Sequence, residues 1–286
     1  MESPESGTLF VVATPIGNLE DITLRALRVF REVAVVAAED TRRSGNLLRH
    51  YDIRTPLVSL HEHNEHRRRI HLVSRLKAGE SIALVTDAGT PGISDPGASF
   101  VRAARDAGIR VEPVPGPSAV TATMSVAGVE SQGFVFIGFL PTRSKDRKKA
   151  LARLVEFPTL SYICFEAPHR LRKTLGELRS ILGNQQIFLA RELTKVHEQW
   201  MEGPLERLEA EIGDPRGEFV VIIPPRSVDS APAGDLTDGE VNTLFGQITE
   251  TNGAGRRASI RELARRTGRS QKDVYAALER AKLYGK

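Results

Sequence analysis

The segment Asp87-Ala-Gly-Thr-Pro-Gly-Ile-Ser-Asp-Pro-Gly97 constrains this chain more than any other. It follows an apolar run over 81–86 that reads as a buried strand, and it leads into a helix expected near 98–107. Five of its eleven residues are Gly or Pro. Such a stretch builds neither helix nor strand; it shapes a loop whose backbone comes close to something. In an open α/β sheet, the loops at the carboxyl ends of the strands are where ligands bind. This loop sets Asp87, Thr90, Ser94 and Asp95 on a frame of small residues.

The same rhythm recurs on both sides of it. Apolar runs at 9–13, 33–37, 56–60, 111–114 and 134–139 read as strands. Helical patterns lie between them at 23–32, 40–50, 64–77 and 119–126, the last with Ser118 placed to cap it. Strands alternating with helices imply a mostly parallel sheet. The charged, Pro-led stretch 141–149 breaks the pattern and reads as a hinge. Beyond it, strands at 159–165, 186–190, 196–202 and 218–223 follow one another more closely, with helices at 171–182 and 204–212. Some antiparallel pairing is expected there. The segment 224–235 is rich in Pro, Ser, Ala and Gly and reads as linker.

Charge is unevenly spread. The net charge is +4, yet residues 253–286 hold ten Lys/Arg against three Asp/Glu, so the other 252 residues carry a net −3. A basic end segment on a mildly acidic body suggests a polyanionic partner. The sequence there predicts two short helices, 259–266 and one opened by Ser270-Gln-Lys-Asp273 with capping-box spacing. Ala264, Gly268 and Val274 sit where a helix-turn-helix needs a small contact, a turn glycine and a core residue. Arg265, Arg266, Arg269 and Lys272 surround the turn. A plain two-helix cap is the alternative.

Several classes drop out. A single cysteine, Cys164, excludes an intramolecular disulfide framework. No apolar run approaches the roughly 20 residues of a membrane span. The acidic N-terminus is unlike a secretory signal, so a cytoplasmic protein is expected. Neither Gly-x-Gly-x-x-Gly nor Gly-x-x-x-x-Gly-Lys-Ser/Thr occurs at the strand ends. The histidines of His61-Glu-His-Asn-Glu-His66 lack zinc-site spacing, and no metal site is expected.

Polar residues gather at the predicted strand ends. Ala38-Glu-Asp-Thr-Arg42 offers Glu39, Asp40 and Arg42 to a substrate or a nucleophile; Asp40 as a helix cap paired with Arg42 is the alternative. His61 ends another strand. Phe165-Glu-Ala-Pro-His-Arg170 and Ala190-Arg-Glu-Leu-Thr-Lys-Val-His197 place Glu166, His169, Arg170, Arg191, Glu192 and Lys195 toward one crevice if the second half folds over the first. Salt-bridge scaffolding is the alternative for each pair.

Taken in order, Ala13–Asp21, Ala38–Arg42, His61–Glu65, Thr86–Gly97, Val114–Ala119 and Phe165–Arg170 resemble the tetrapyrrole methylase superfamily. Within it they are most similar to the methyltransferases of a cytidine ribose 2′-oxygen in the decoding region of small-subunit (16S) ribosomal RNA. The resemblance implies an α/β fold of the class III methyltransferase type: two α/β domains, 8–140 and 141–225, with S-adenosylmethionine (S-adenosyl-L-methionine) in the cleft between them. A linker region, 226–252, and a basic helix-turn-helix-like module, 253–286, follow. A homodimer acting on small-subunit ribosomal RNA or the assembled subunit is implied. By the resemblance, Asp87, Gly89, Thr90, Gly92 and Ile93 belong to the second cofactor loop, Ser118 and Ala119 to the third. Ile16 lies at the first, Phe139 and Leu140 at the domain junction, and Cys164 and Ala190 at strand ends of the second domain. Thr14-Pro15 stands where the superfamily's commoner Gly-x-Gly-Pro-Gly-Asp loop has glycines, which leaves open whether that loop meets donor or substrate. Asp40, Arg42, His61, Glu166 and His169 are the expected catalytic residues, with Glu39 a further possible base. A methylase of a small macrocycle and a ligand-sensing DNA-binding regulator are the competing readings; the basic tail disfavours the first and the polar strand ends the second.

Overall fold

The computed structural model describes residues 6–155, 157–226, 238–252, 255–267 and 269–284. Its first half is a five-stranded sheet in the order β3-β2-β4-β1-β5. The strands are β1 (Thr8–Val12), β2 (Val35–Ala38), β3 (Leu57–Ser59), β4 (Ile82–Val85) and β5 (Arg110–Val114). Every pairing is parallel, as the alternation of strands and helices predicts. Parallel strands need long crossovers, and the helices that make them cover both faces. Alternate residues therefore serve two cores. On one face Val12, Val36, Ala38 and Val85 meet α1 (Leu24–Glu32) and α2 (Thr41–His50). On the other, Leu9, Val35, Ala37 and Leu84 meet α3 (Glu65–Lys77) and α4 (Ala98–Asp106). Buried on both sides, β2 and β4 are apolar at every position. Because β4 inserts between β1 and β2, the loops after these three strands emerge side by side at the carboxyl edge.

The helix α5 (Ala119–Ala127) leads to a second five-stranded sheet, ordered β6-β7-β10-β8-β9. It comprises β6 (Phe134–Phe139), β7 (Ser161–Glu166), β8 (Gln186–Arg191), β9 (Gln199–Pro204) and β10 (Phe219–Ile223). Only β6 and β7 are parallel; the other pairings are antiparallel. One face packs on α6 (Ser144–Ala152), α7 (Pro168–Leu182) and α8 (Leu205–Glu211) through Leu151, Leu171, Leu175 and Leu208. The stretch expected to be a hinge is thus largely the helix α6. Its charges concealed an inward pair at helical spacing, Arg147 and Leu151, both buried. The other face of the sheet turns Ile163, Ala190 and Val220 toward Val120 of α5 and Ile16 of the first half. That small apolar cluster joins the two sheets.

The C-terminal segment forms α9 (Asp238–Asn252), α10 (Arg256–Thr267) and α11 (Gln271–Tyr284) around a core of their own. The sequence reading carried a linker through residue 252, but a helix begins at Asp238. Val241, Leu244, Phe245 and Ile248 recur at helical spacing and pack against Ile260, Leu263 and Val274. A bidentate pair from Arg280 to Asp238, 2.7 and 3.0 Å, ties α11 to α9. The predicted cap is present: the Asp273 amide donates to Ser270 Oγ at 3.1 Å. The turn glycine, Gly268, lies outside the described residues, as do residues 227–237 of the predicted linker and the side chains of Arg265 and Arg266. Among the described residues no helix is long and apolar enough to cross a membrane.

Candidate active site between the two sheets

A cavity of about 380 Å³ opens where the carboxyl edge of the first sheet meets the second. The first sheet contributes Ile16 after β1, Asp87 to Thr90 and Ile93 to Asp95 after β4, and Ser118 to Val120 at the start of α5. The second contributes Phe139, Phe165, Leu193 and Val220. The loops are fastened to one another by backbone. Thr14 and Gly89 exchange amide hydrogen bonds of 3.0 and 2.9 Å, an isolated antiparallel bridge between the first and second loops. Thr90 Oγ1 donates to the Pro117 carbonyl at 3.5 Å, linking the second loop to the third. Two glycines are required by geometry. Gly97 has φ +118° and lies so close that a Cβ there would stand 2.9 Å from Leu84 Cδ2. Gly17 abuts the second half; a Cβ there would meet the Leu193 carbonyl at 2.6 Å. The first loop therefore touches the segment after β8, which contributes Leu193 to the cavity wall.

Of the residues expected at the cofactor, Ile16, Asp87, Gly89, Thr90, Ile93, Ser118, Ala119 and Phe139 line this cavity. Ser118 is the N-cap of α5, the position expected of it, but its side chain makes no capping bond. Gly92, at φ +78°, turns the second loop beside Ala98 without lining the cavity. Leu140 and Cys164 are drawn into the helix-covered core on the far side of the second sheet. Strand alternation explains Cys164: its neighbours Ile163 and Phe165 face the cavity side, so its own side chain points away. Burial pushes the Cys164 thiol up to about 12. Ala190 is fully buried in the cluster beneath the cavity.

The acidic strand ends converge. Asp87 Oδ1 accepts the Asp40 amide at 3.1 Å, and Asp87 Oδ2 pairs with Arg43 at 3.2 Å. The Asp87 amide points to Glu39 Oε2 at 3.5 Å. Burial, and then the charge of Asp87, raise the carboxyl groups of both Glu39 and Asp95 above their ordinary values. A second hollow of about 270 Å³ shares Arg43 and Asp87 with the first and adds Thr14, Pro15, Asn46 and His50.

The expected catalytic residues do not assemble. Asp40 is the N-cap of α2; its Oδ1 accepts the Arg42 amide at 2.8 Å, and its Oδ2 pairs with the Arg42 guanidinium at 2.8 Å. These bonds, the side-chain one first, pull Asp40 down to about 2. The pair is a closed unit beside the cavity. His61 is held by Asn64, with 3.2 Å between Nε2 and the amide nitrogen, and its Nδ1 is enclosed without a partner. His169 is exposed at the start of α7 and lines neither cavity. Glu166 borders the cavity, but its carboxylate has no exposed surface. It accepts Thr174 Oγ1 at 2.5 Å and the Ala167 amide at 2.9 Å, and meets Arg170 at 3.2 Å and Arg147 at 3.8 Å. It is an internal ion-pair hub, the scaffolding alternative. Lys195 likewise bridges Glu192 and Glu218 at 2.9 and 3.0 Å, which holds the loop carrying Leu193.

Sequence reasoning missed Arg43, Leu193 and Val220 as site residues. Arg43 was traceable: one step beyond Arg42, it takes the helical direction that meets Asp87. Nothing local marks Val220, which reaches the cavity only through the order of the second sheet.

The cavity suits a small ligand with apolar and polar parts. Its volume falls within the usual range of ligand pockets. Gly89, Ala88 and Ala119 let backbone approach, Phe139, Phe165 and Ile93 supply apolar surface, and Asp87 and Asp95 bring negative charge suited to a sulfonium. A parallel sheet with small-residue loops, closed by a mixed sheet across a cleft, defines a class III methyltransferase, whose methyl donor is S-adenosylmethionine. Residues 8–209 match the family model for tetrapyrrole (corrin/porphyrin) methylases, and the chain belongs to that family. It is 50% identical over 223 residues to the ribosomal RNA small subunit methyltransferase I of Pseudomonas aeruginosa, covering 76% of this chain and 79% of the relative. It is 42% identical over 275 residues to the Synechocystis protein of the same name, covering 94% and 96%. Among solved structures it is similar to a diphthine synthase, with TM-score 0.63 and 15% identity over 78% of this chain and 91% of the other.

Proposed function

We propose that this methyltransferase modifies ribosomal RNA of the small subunit, at the ribose 2′-oxygen of a cytidine in the decoding region, and works as a cytoplasmic homodimer. One observation carries the ribosomal substrate. The family model ends at residue 209, whereas the Synechocystis relative matches 94% of the chain, so its likeness extends into the C-terminal helices. A small macrocycle needs no such module; a folded RNA offers it phosphates. The first sheet with its helices, the second sheet, and the C-terminal helices then act as donor platform, lid and RNA grip.

S-adenosylmethionine supplies an electrophilic methyl carbon on a sulfonium. Asp87, Gly89, Thr90, Ser118 and Ala119 would hold it, with Phe139 and Ile93 against its apolar parts. Holding both reactants in line contributes up to about 7–11 kcal/mol in favourable cases. A ribose hydroxyl is a poor nucleophile and needs its proton taken as the methyl arrives. Glu39, which lines neither cavity itself, is the base this reading favours: its Oε2 lies 3.5 Å from the amide of the cavity residue Asp87 and burial raises its proton affinity, whereas Asp40 is tied to Arg42 and Glu166 is enclosed. Labelled methyl transfer from S-adenosylmethionine to isolated small subunits, followed by mapping of the modified nucleotide, tests this. Transfer to one cytidine ribose is expected; no transfer to any RNA would overturn it.

A further inference from the structure

The helix α3 carries charge that the fold does not use. Between Glu65 and Lys77 it holds five Lys/Arg against one acidic residue, within a body of net −3. Arg75 is neutralised by Glu80. The single carboxylate, Glu65, accepts the Phe100 amide at 3.3 Å. Among the described residues no ion pair is made by Arg67, Arg68 or Arg69, and the enclosed Nε of Arg68 has no acceptor. Elsewhere on this sheet exposed arginines commonly meet carboxylates, as in Arg25–Glu112 and Arg102–Asp106. Successive helix positions diverge by about 100°, so these three side chains fan around the first turn of α3 and lean toward its N-terminus; together they concentrate positive charge that an anionic partner would offset.

Their position gives them a use. The α3 helix begins just after β3, at the same carboxyl edge that carries the cavity, and Glu65 fastens its first turn to the start of α4. Asp95, two residues before Gly97 at the cap of α4, lines the cavity. At 1.5 Å per residue, Arg67 to Arg69 lie about 3–6 Å along the helix from Glu65. We propose that this arginine run is a second phosphate-binding surface, which holds the RNA backbone beside the mouth of the donor cavity independently of the C-terminal helices. It rests on the ribosomal RNA reading above and adds where the strand enters. Guanidiniums suit phosphate oxygens because they donate in pairs.

The test is the double variant Arg67→Gln/Arg69→Gln in the full-length protein, with Arg102→Gln as a control that loses an exposed arginine already paired to Asp106. The probe is a protein-free fragment of small-subunit RNA that spans the decoding region, titrated at several salt concentrations. Each lost phosphate contact lowers the slope of log K against log salt by about 0.7 for a single strand, so the double variant should be shallower by about 1.4. S-adenosylmethionine affinity by calorimetry should not move, and Arg67→Lys/Arg69→Lys should restore the slope. An unchanged slope in the double variant, or an equal loss in the control, would overturn the proposal. So would lost affinity for whole subunits with unchanged affinity for the protein-free fragment, since the partner would then be a ribosomal protein. If the wild type itself transfers no methyl to RNA, the functional reading fails with it; if the wild type is active and only the slope is unmoved, the surface alone is refuted.

Discussion

The buried hub around Glu166 separates a structural carboxylate from a catalytic one. Glu166→Ala removes a carboxylate that faces two guanidiniums and a hydroxyl, with no side-chain surface exposed. Arg147, 5% exposed, would lose one of its two carboxylates and keep Glu177 at 2.6 Å. Breaking a buried pair from one side costs about 3–5 kcal/mol because the remaining charge is left uncompensated. Glu177 retains part of that compensation, so the low end, about 3 kcal/mol, is expected. For a cooperative unit of this size each kcal/mol moves Tm by about 2–4 °C, so the shift should be about 6–12 °C downward. Thermal unfolding followed by circular dichroism measures it, with calorimetry of S-adenosylmethionine well below the transition as the companion. A Tm within about 2 °C of wild type, together with abolished methyl transfer, would refute the reasoning and return Glu166 to the chemistry.

Other expectations follow from the same geometry. Gly97→Ala places a Cβ 2.9 Å from Leu84 Cδ2 at φ +118°; a loss of about 1–3 kcal/mol in urea unfolding and weaker donor binding are expected, and wild-type values for both would contradict the strain. The Glu39 carboxyl binds its proton to higher pH in the folded than in the unfolded chain. Its ionisation therefore subtracts stability as pH rises through the raised value, and the effect vanishes below the unfolded value. Glu39→Gln should accordingly raise Tm at neutral pH, lose that gain in acid, and slow methyl transfer while removing the acid limb of the rate profile. Removal of residues 238–286, a cut that spares no part of the α9–α11 core, should weaken RNA binding and flatten its salt dependence while donor affinity stays. RNA affinity equal to the full chain's would dismiss the tail as a grip.

The alternation of apolar runs with Gly/Pro loops made the first sheet readable, because parallel strands buried on both faces leave near-continuous apolar segments. The loops around the cavity were readable for a related reason: a backbone that must turn at Gly89 or fit under Gly97 admits few residues. Charged residues were harder. Glu166, Arg147 and Arg170 look the same in sequence whether they meet a substrate or each other, and only packing distinguishes them. The charged stretch at 141–149 hid a helix for the same reason, since one arginine turned inward cannot be told from its exposed neighbours. In the tail, Val241 to Ile248 carried a helical period that its polar surroundings obscured.

The sequence by itself determined the α/β class, the three loops that surround the cavity and the basic C-terminal helices, since each follows from local periodicity and turn chemistry. Tertiary structure decided which carboxylates are available. Asp87 lies far in sequence from the adjacent Glu39 and Asp40 yet meets both because β4 pairs with β2, and the fates of the two neighbours then diverge with their partners: Arg42 closes off Asp40, while burial leaves Glu39 holding its proton more tightly. Tertiary structure likewise sent Cys164 away from the cavity and Val220 toward it, because strand register and sheet order, which no single segment encodes, set the side of the sheet each side chain faces.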